Sequence, residues 1–389
     1  MQRGATGRME TTRVGGETVR AFVPHPLPPV PPLDLTGRLL QRLEQAQLAV
    51  GRLDSITTLL PGPDLFLYSY IRKEAVLSSQ IEGTQSSLSD LLLFELEHAP
   101  GAPIDDVVEV ASYVAAMEHG LAELRRDQPL SNRLIRAIHG QLLARGRGAD
   151  KQPGCFRSSQ NWIGGTRPGN AAFVPPPPDL VPECMGALER FLHAQDDGLP
   201  TLVRTALAHV QFETIHPFLD GNGRIGRLLI TFLLCHAGVL QKPLLYLSLY
   251  FKQRRSEYYR LLDAVRKDGD WEAWLLFFLD GVAQTAKSAV DTAQRMTALF
   301  AADRERIQAI GRRAGSALRV HAELQRRPVA TMTELAARTG LAFPTVEKSV
   351  QALAHDDLQI AREVTGRRRN RVFAYPQYLA MLNEGTETA

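Results

Sequence analysis

The sequence lacks the features of an exported or membrane-spanning protein. Its three cysteines, Cys155, Cys184 and Cys235, are odd in number and far apart, which excludes a disulfide framework and a zinc ribbon. The longest nearly apolar stretch, residues 228–240, is too short for a membrane helix, which needs about 20 residues. Residues 1–20 are polar and lack the apolar core of a secretory signal. We therefore expect a protein of the reducing cytoplasm, without a membrane span.

A strong excess of one charge is also absent. Lysine and arginine total 45 and aspartate and glutamate total 42, so the formal net charge is 45 − 42 = +3. This balance excludes a chain that is basic or acidic throughout, and any basic surface must be local. Hydrophobic residues make up 44% of the chain, as is typical of a folded globular protein. At about 150 residues per domain, the 389 residues predict two to three folding units.

Helical periodicity dominates what the sequence does contain. Residues 1–20 are expected to form a loose tail, and the prolines that follow impose an extended segment, so residues 1–33 are predicted to be flexible and Pro-rich. Ser131 is expected to cap a helix. Leucine spacing and turn residues predict helices over residues 35–60, 65–81, 88–97, 107–124, 132–143, 179–194, 199–215, 224–237, 254–267 and 271–313.

Two segments depart from this helical pattern. Residues 157–163 are predicted to form a short strand, and Gly164 and Gly165 after it are expected to make the turn of a β-hairpin. The last 70 residues predict a helix, a turn and a second helix followed by two strands. These elements are expected at residues 333–339, Gly340, 343–355, 360–364 and 371–375, the order of a helix-turn-helix with a two-stranded wing.

The segment His216-Pro-Phe-Leu-Asp-Gly-Asn-Gly-Arg-Ile-Gly-Arg227 carries the clearest chemistry. The glycines around Asn222 permit unusual backbone conformations just before a helix, where free N–H groups and the helix dipole favour an anion. Arg224 and Arg227 share one face of that helix, which suits two or more consecutive phosphates. Asp220 is a hard oxygen donor for Mg²⁺, and His216 is placed to remove a proton from a hydroxyl.

This segment resembles the motif of the Fic family, in which His, Phe, an acidic residue, Gly-Asn-Gly-Arg and a final Arg stand at the spacing found here. The resemblance implies transfer of AMP from ATP to a protein hydroxyl. His216 would be the general base, Asp220 would hold Mg²⁺ or Mn²⁺, Arg224 would bind the α- and β-phosphates and Arg227 the γ-phosphate. The remaining ATP contacts implied within the motif are Gly221, Asn222, Gly223, Ile225 and Gly226.

The resemblance extends to two segments outside the motif. The glycine-rich hairpin at residues 160–166 resembles a flap that registers an extended target by main-chain pairing, and Tyr258 resembles a residue that closes the adenosine pocket. Trp162 and Tyr259 fit packing roles equally well. The flap residues that the resemblance places near the nucleotide are Ile163, Gly164, Gly165 and Thr166.

A third resemblance predicts a built-in inhibitor. Ser78, Glu82 and Gly83 match the family's inhibitory motif, and Ser78 and Glu82 are four residues apart, on one face of a helix. A carboxylate that reaches Arg227 would neutralise the guanidinium intended for the γ-phosphate. In some relatives the same glutamate positions a water that removes AMP, so the direction of the reaction stays open.

The fold that the resemblance implies is mainly α: a Fic helical bundle with a β-hairpin flap, followed by a small winged helix-turn-helix domain. The predicted units are a regulatory helical region (34–105), the catalytic core (106–285), a connecting helix (286–318) and the winged domain (319–389).

The winged domain supplies the local basic patch, formed by Arg367, Arg368, Arg369 and Arg371. Its recognition helix and the residues just after it have more acidic than basic side chains, with Glu347, Asp356 and Asp357 against Lys348. A DNA partner and a protein partner therefore both remain open.

The function classes left by the sequence are an enzyme that modifies a target protein and itself, and a DNA-binding regulator whose Fic core senses nucleotide. Other Fic relatives transfer phosphate or phosphocholine. The target, its Ser, Thr or Tyr acceptor and a homodimer are left undecided.

Overall fold

The computed structural model describes residues 3–59, 63–96, 103–194, 198–355, 357–367 and 369–386, with the side chains of residues 57–59 and 63–66 set aside. The chain is mainly helical, which confirms the predicted fold class. The helices of the body are α1 (Gly37–Leu59), α2 (Pro63–Ile81), α3 (Leu88–Glu95), α4 (Ile104–Leu124), α5 (Asn132–Leu142), α6 (Val181–His193), α7 (Thr201–Ile215), α8 (Asn222–His236), α9 (Ser248–Gln253), α10 (Arg255–Asp268) and α11 (Trp271–Gln308).

Local capping sets several of these helix boundaries. The Ser131 hydroxyl accepts a hydrogen bond from the Leu134 N–H, which confirms the predicted cap of α5. Ser87 and Asp90 form a reciprocal capping box at the start of α3. The predicted helix over residues 271–313 is wrong at its end, because α11 stops at Gln308 and a short 3₁₀ turn, Gly311–Arg313, follows. The predicted boundaries at 105/106 and 285/286 lie inside α4 and α11.

The centre of the body consists of α7 and α8. Residues 205–215 of α7 and 224–234 of α8 are buried, as is expected of helices that are covered on every side. Trp274 on α11 is completely buried against α7, and its indole N–H donates to the Ala206 carbonyl at 3.0 Å. The loop between α7 and α8 therefore joins two fixed elements, and this loop is residues 216–221.

The N-terminal residues form a β-hairpin, so the prediction of a loose tail is wrong. Strands β1 (Gly7–Val14) and β2 (Glu17–Pro24) pair antiparallel, with Gly7 opposite Pro24 and Val14 opposite Glu17. Gly15 and Gly16 make the turn with positive φ values of 58° and 85°. The core-facing residues of β2 are buried against parts of the chain far away in sequence, which no local pattern in residues 1–20 reveals.

The predicted flap hairpin is also corrected. Residues 157–162 form no strand; the chain instead reverses through residues 164–172 and is closed by one antiparallel bridge between Ile163 and Phe173. A 3₁₀ turn, Pro168–Asn170, forms its outer end. Gly164 and Gly165 both have positive φ, so the chain bends there instead of continuing as a strand.

The C-terminal domain has the predicted helices and wing strands and three further elements. Helices α12 (Ala314–Arg326), α13 (Met332–Thr339) and α14 (Phe343–Ala354) pack beside an antiparallel sheet of β3 (Val329–Thr331), β4 (Arg362–Glu363) and β5 (Val372–Ala374), in the order β3-β5-β4. Helix α15 (Pro376–Asn383) follows. Sequence patterns did not predict α12, β3 or α15. The predicted wing residue Arg368 and the acidic Asp356 lie outside the described residues.

Within the described ranges, none of the helices is both long and apolar enough to cross a membrane.

Candidate active site

The loop between α7 and α8 is shaped by its own side chains. His216 ends α7 in the left-handed conformation (φ 49°, ψ 61°), and Gly221 has φ 77° just before α8. Asn222 holds the loop closed, because its side-chain oxygen accepts from the Phe218 N–H and its amide donates to the Phe218 carbonyl, both at 2.8 Å. The Asn222 side chain is therefore engaged in loop structure, although sequence reasoning assigned it to ATP.

A buried arginine that sequence reasoning missed fixes the position of His216. The Arg157 guanidinium donates to the His216 carbonyl at 2.9 Å and to the Pro176 carbonyl at 2.5 Å, and the Arg157 N–H donates to the Pro217 carbonyl at 2.9 Å. Burial lowers the pKa of Arg157 to about 10, so it stays charged at neutral pH. A lone buried Arg in a loop carries no motif in the sequence, and only its distant carbonyl partners show its role.

His216 is neutral in this environment. Burial and the nearby charges of Arg157 and Arg266 lower the pKa of His216 to about 3. The Glu82 carboxylate and the main chain of Glu213 act in the opposite direction but do not reverse the shift. Its Nδ1 is buried without a hydrogen-bond partner of normal geometry among the described residues, so Nε2 is the nitrogen that a substrate can reach. A neutral imidazole is the form that accepts a proton.

The start of α8 is the position at which the sequence predicts an anion site. Asn222 is its first residue, and the main-chain N–H groups of the first turn are the ones a helix leaves unpaired. A side chain at Gly223 would overlap the Glu82 carboxylate, and one at Gly226 would overlap the Glu213 carboxylate. Both glycines therefore permit a close approach to the helix, and at present a carboxylate occupies the space beside Gly223.

Arg227 is held by the end of α2 and by the residue that follows it, Ser78 and Glu82, which precede it by 149 and 145 positions. Its Nη2 lies 2.7 Å from Glu82 Oε1 and also donates to the Ser78 carbonyl at 3.0 Å, while its Nε donates to the Ser78 hydroxyl at 2.8 Å. The Arg227 side chain is 2% exposed and that of Glu82 is 30% exposed. Burial alone would raise the pKa of Glu82, but Arg227 and Arg224 outweigh it and lower that pKa, so the pair is ionic.

Arg224 is paired with a residue that sequence reasoning missed. Its Nη1 lies 2.8 Å from Glu109 Oε1 on α4, and its Nη2 lies 3.4 Å from Asp220 Oδ1. Arg224 and Glu109 are almost completely buried, at 1% and 2% exposure of their side chains. Burial raises the pKa of Glu109 although Arg224 opposes this. The two residues are 115 positions apart in the chain, so no spacing rule links them.

These residues lie within two stretches that match known families. Residues 40–122 match the family described as Fic/DOC family N-terminal, and residues 129–234 match the Fic/DOC family. The chain contains a Fic domain. The resemblance found in the motif is thereby confirmed.

Named relatives and solved structures agree with this assignment. Protein adenylyltransferase Fic from Drosophila grimshawi is 32% identical over 186 residues, 48% of this chain and 35% of the fly protein, and the Drosophila melanogaster protein of the same name gives equal values. The chain thus spans about a third of the length of these curated relatives. A Fic family protein from Desulfovibrio desulfuricans has the same fold with a TM-score of 0.58 and 22% identity, covering 89% of this chain and 98% of that chain. The C. elegans Fic-1 structure (residues 134–508) gives a TM-score of 0.52 and 20% identity, covering 66% of this chain and 73% of that one.

The Fic loop is further supported by His139, which sequence reasoning also missed. Its ring stacks on Phe218 with centroids 3.7 Å apart, and its Nδ1 accepts from the Gly154 N–H at 2.9 Å. This contact leaves the proton on Nε2, which donates to the Asp220 carbonyl at 3.0 Å. Burial lowers the pKa of His139 to about 4. The neutral ring therefore stabilises the Fic loop by stacking on Phe218 and by its hydrogen bond to the Asp220 carbonyl.

Asp220, the predicted metal ligand, has a partly exposed carboxylate. Its Oδ1 accepts from the Gly221 N–H at 2.6 Å, and its side chain is 34% exposed, so the carboxylate reaches solvent beside the anion site. The described residues contain no group of three or more His, Cys, Asp or Glu side chains that could hold a metal by itself. A single carboxylate fits Mg²⁺, which commonly binds through one or two carboxylates, water and substrate phosphates.

Tyr258, the predicted adenosine contact, lies in the core of the helical body. It is 1% exposed, and its hydroxyl lies 2.8 Å from His209 Nε2. Tyr259 is 40% exposed, and its ring centroid is 5.1 Å from that of Tyr258. Of the two tyrosines, Tyr259 is therefore the one accessible to a ligand, contrary to the sequence-based preference.

The flap is attached to the Fic loop at its base. The Asn161 amide donates to the Phe218 carbonyl at 2.9 Å. Ile163 exchanges two main-chain hydrogen bonds with Phe173, at 2.9 and 3.1 Å, and Thr166 donates from its N–H to the Asn170 side chain. The structure therefore ties the flap base to the His216 loop, whereas the outer residues of the flap turn away into the 3₁₀ turn.

Proposed function

We propose that this protein transfers AMP from ATP to a hydroxyl group of a protein, and that its own hydroxyls are among the acceptors. One observation carries the proposal: a neutral His216 and the unpaired N–H groups at the start of α8 lie at the two ends of one loop, which Asn222 and Arg157 hold in place. The fly relatives are named protein adenylyltransferase, which supports this activity for the part of the chain that matches them.

The chemistry follows from the loop. The acceptor oxygen forms a bond to the α-phosphorus, its proton passes to Nε2 of His216, and the bond to the β-phosphate oxygen breaks to release pyrophosphate. The unpaired N–H groups of α8 and the positive charge of Arg224 stabilise the developing negative charge on the phosphates. Asp220 would hold Mg²⁺ or Mn²⁺, and such a cation would supply further neutralisation of the phosphate charge.

We further propose that Glu82 inhibits this reaction. Its carboxylate lies beside Gly223 at the start of α8, where it fills the space that the γ-phosphate requires. The same carboxylate is paired with Arg227, so it neutralises the cation that would bind the γ-phosphate. ATP then binds in a pose that does not present the α-phosphorus to the acceptor. The same half-buried carboxylate could orient water for AMP removal, and this reverse activity is the second reaction that the site supports.

The proposal is tested by asking which phosphate of labelled ATP is transferred to the protein. Purified protein is incubated with ATP that carries the label on the α- or on the γ-phosphate, followed by gel analysis and by mass spectrometry of the modified peptide. Transfer of the α-label with one AMP per site, and its loss in His216→Ala, is expected. Transfer of the γ-label alone would replace the proposal by phosphate transfer, and equal labelling of His216→Ala would refute the role of His216.

A second candidate function concerns the C-terminal domain. Arg367 and Arg369 at the wing are exposed and border an open space of about 600 Å³ beside α14. Arg371 is paired with Glu347 at 3.3 Å, which places the wing against this helix. A basic wing beside a helix suits the phosphates of duplex DNA. We expect fluorescence anisotropy to detect salt-dependent binding of a DNA duplex that weakens in Arg369→Ala, whereas no binding at low salt would leave a protein partner.

The three cysteines are free thiols, which suits the reducing cytoplasm that we propose as the compartment.

A further inference from the structure

The N-terminal hairpin touches the flap at its tip. The Glu17 carboxylate, in the first residue of β2, pairs with the Arg167 guanidinium and accepts a hydrogen bond from the Gly169 N–H at 3.1 Å. A side chain at Gly169 would approach Glu17 Oε2 to 2.6 Å, so the carboxylate lies directly against the flap main chain. One carboxylate therefore holds two neighbouring points of the outer turn of the flap.

The hairpin also pairs with the base of the flap. The Phe22 N–H of β2 donates to the Val174 carbonyl at 2.8 Å, and the Phe22 and Phe173 rings lie 6.0 Å apart. Arg266 covers the Phe173 ring at 4.0 Å. The second segment of the flap thus runs between β2 on one side and Ile163 on the other, as a strand does inside a sheet.

The root of the hairpin is anchored in the helical body. The Arg3 guanidinium, whose side chain is 2% exposed, lies 2.6 Å from a carboxylate oxygen of Glu272 at the start of α11. The main chain adds hydrogen bonds from Arg3 N–H to the Asp268 carbonyl at 3.2 Å and from Thr6 N–H to the Arg266 carbonyl at 3.1 Å. The hairpin is therefore fixed at one end to the body and at the other end to the flap.

The pairing leaves one edge of the flap open. Ile163 exchanges both of its main-chain hydrogen bonds with Phe173, whereas the neighbouring Trp162 makes no main-chain hydrogen bond within the described part of the chain. The side of the flap that carries the Trp162 main chain is its open edge. Among the described residues no main-chain hydrogen bond is made at that edge. Because Asn161 ties this segment to the Phe218 carbonyl, the open edge lies next to the His216 loop.

We propose that the β1–β2 hairpin is a strut that holds the open edge of the flap in register with His216, and that Glu17 is the positioning residue for acceptor docking. This inference rests on the proposed AMP transfer. An extended acceptor segment that adds to the open edge finds a main chain whose opposite side is already fixed. Without the Glu17 contact the outer turn would move, and part of the binding energy would be used to order it.

The first test measures the flap itself. Hydrogen–deuterium exchange of peptides covering residues 163–173 is compared between the wild type, Glu17→Ala, and the control Glu10→Ala, which alters a partly exposed β1 residue paired with Arg8. We expect exchange about threefold faster in Glu17→Ala only, since a surface ion pair of this kind contributes little to global stability. Equal exchange rates in all three proteins would refute the proposal that the hairpin holds the flap.

The second test measures transfer. In a Glu82→Gly background, self-labelling from α-labelled ATP is expected to fall about threefold on adding Glu17→Ala, with ATP affinity unchanged. Gly169→Ala places a methyl group against the Glu17 carboxylate and pushes it away from the flap, so it should lower the labelling rate as much as Glu17→Ala does. Combining the two substitutions should lower the rate no further. The exchanged pair Glu17→Arg with Arg167→Glu restores the ion pair but offers no acceptor to the Gly169 N–H, so it should recover only part of the rate.

The outcomes separate the two hypotheses. No labelling in the Glu82→Gly parent refutes AMP transfer and, with it, this role of the hairpin. A labelled parent whose rate is unchanged by Glu17→Ala and Gly169→Ala leaves AMP transfer intact and refutes the positioning role. Additive losses from the two substitutions would also refute it, because they would show that the residues act separately.

Discussion

Replacing Glu82 by glycine is expected to raise the initial rate of self-labelling about ten- to a hundredfold. The substitution removes the 2.7 Å charge-assisted hydrogen bond to Arg227 and leaves both contacts with Ser78. A hydrogen bond to a charged group contributes about 1.5–3 kcal/mol. At about 1.4 kcal/mol per factor of ten, release of Arg227 yields this range. Because α2 ends at Ile81, the glycine lies outside the helix and leaves it intact.

The assay is a time course with α-labelled ATP, in which the initial rates of the wild type and the variants are compared at equal protein concentration. Glu82→Gln keeps the side-chain volume but removes the charge, so it weakens the hold on Arg227 without clearing the space beside Gly223 and should gain only part of the increase. Ser78→Ala removes only a hydroxyl from Arg227, so its gain should be several-fold smaller than that of Glu82→Gly. His216→Ala combined with Glu82→Gly sets the zero level.

Two results would contradict this reasoning. Equal rates for the wild type and Glu82→Gly would show that the ion pair does not limit the productive binding of ATP. A larger gain in Ser78→Ala than in Glu82→Gln would show that the position of α2, and not the charge of Glu82, restrains Arg227.

Three further predictions concern protonation and the anchor of the loop. Burial raises the pKa of Glu74 on α2 to about 7, so the stability that its neutral form contributes is complete below the ordinary pKa of 4.5 and is lost as the pH rises through 7. In urea unfolding, the stability of Glu74→Gln relative to the wild type should therefore rise by about 2 kcal/mol between pH 5 and 8.5. A difference in stability that does not depend on pH would contradict this. Since the pKa of His216 is lowered to about 3 from an ordinary value of 6.5, the labelling rate of Glu82→Gly should show no acid inflection near pH 6.5, and such an inflection would disprove a neutral His216. Arg157→Lys keeps a charge but cannot donate to the His216 and Pro176 carbonyls together, so it should destabilise the protein by about 2 kcal/mol in thermal unfolding and reduce labelling. A fully active variant of unchanged stability would refute the anchoring role of Arg157.

The loop between α7 and α8 was predictable because its determinants are close together in the chain. The bidentate contact between Asn222 and Phe218 spans four residues, and the positive φ of Gly221 is a property of glycine itself. The same reason explains why the Ser131 cap was predicted correctly. Ser78 and Glu82 are also local to each other, and the resemblance to a family motif led to Arg227, from which they are separated by more than 140 residues.

Contacts between distant residues were decided by the tertiary structure. Glu109 pairs with Arg224, and Glu17 pairs with Arg167 across 150 positions, without any pattern in the sequence that joins them. Tyr258 and Tyr259 are neighbours with the same chemistry, and only packing determines that the first is buried and the second accessible.

The sequence by itself determined the Fic loop, the helical body and the chemistry of the residues that face the anion site, because these depend on backbone preferences and on helical periodicity. The tertiary structure decided which carboxylate pairs with each arginine of the motif and what supports the flap. The N-terminal hairpin illustrates the physical reason: β2 is stabilised by packing against α7 and the flap, and a packing partner more than 150 residues away leaves no trace in the local sequence.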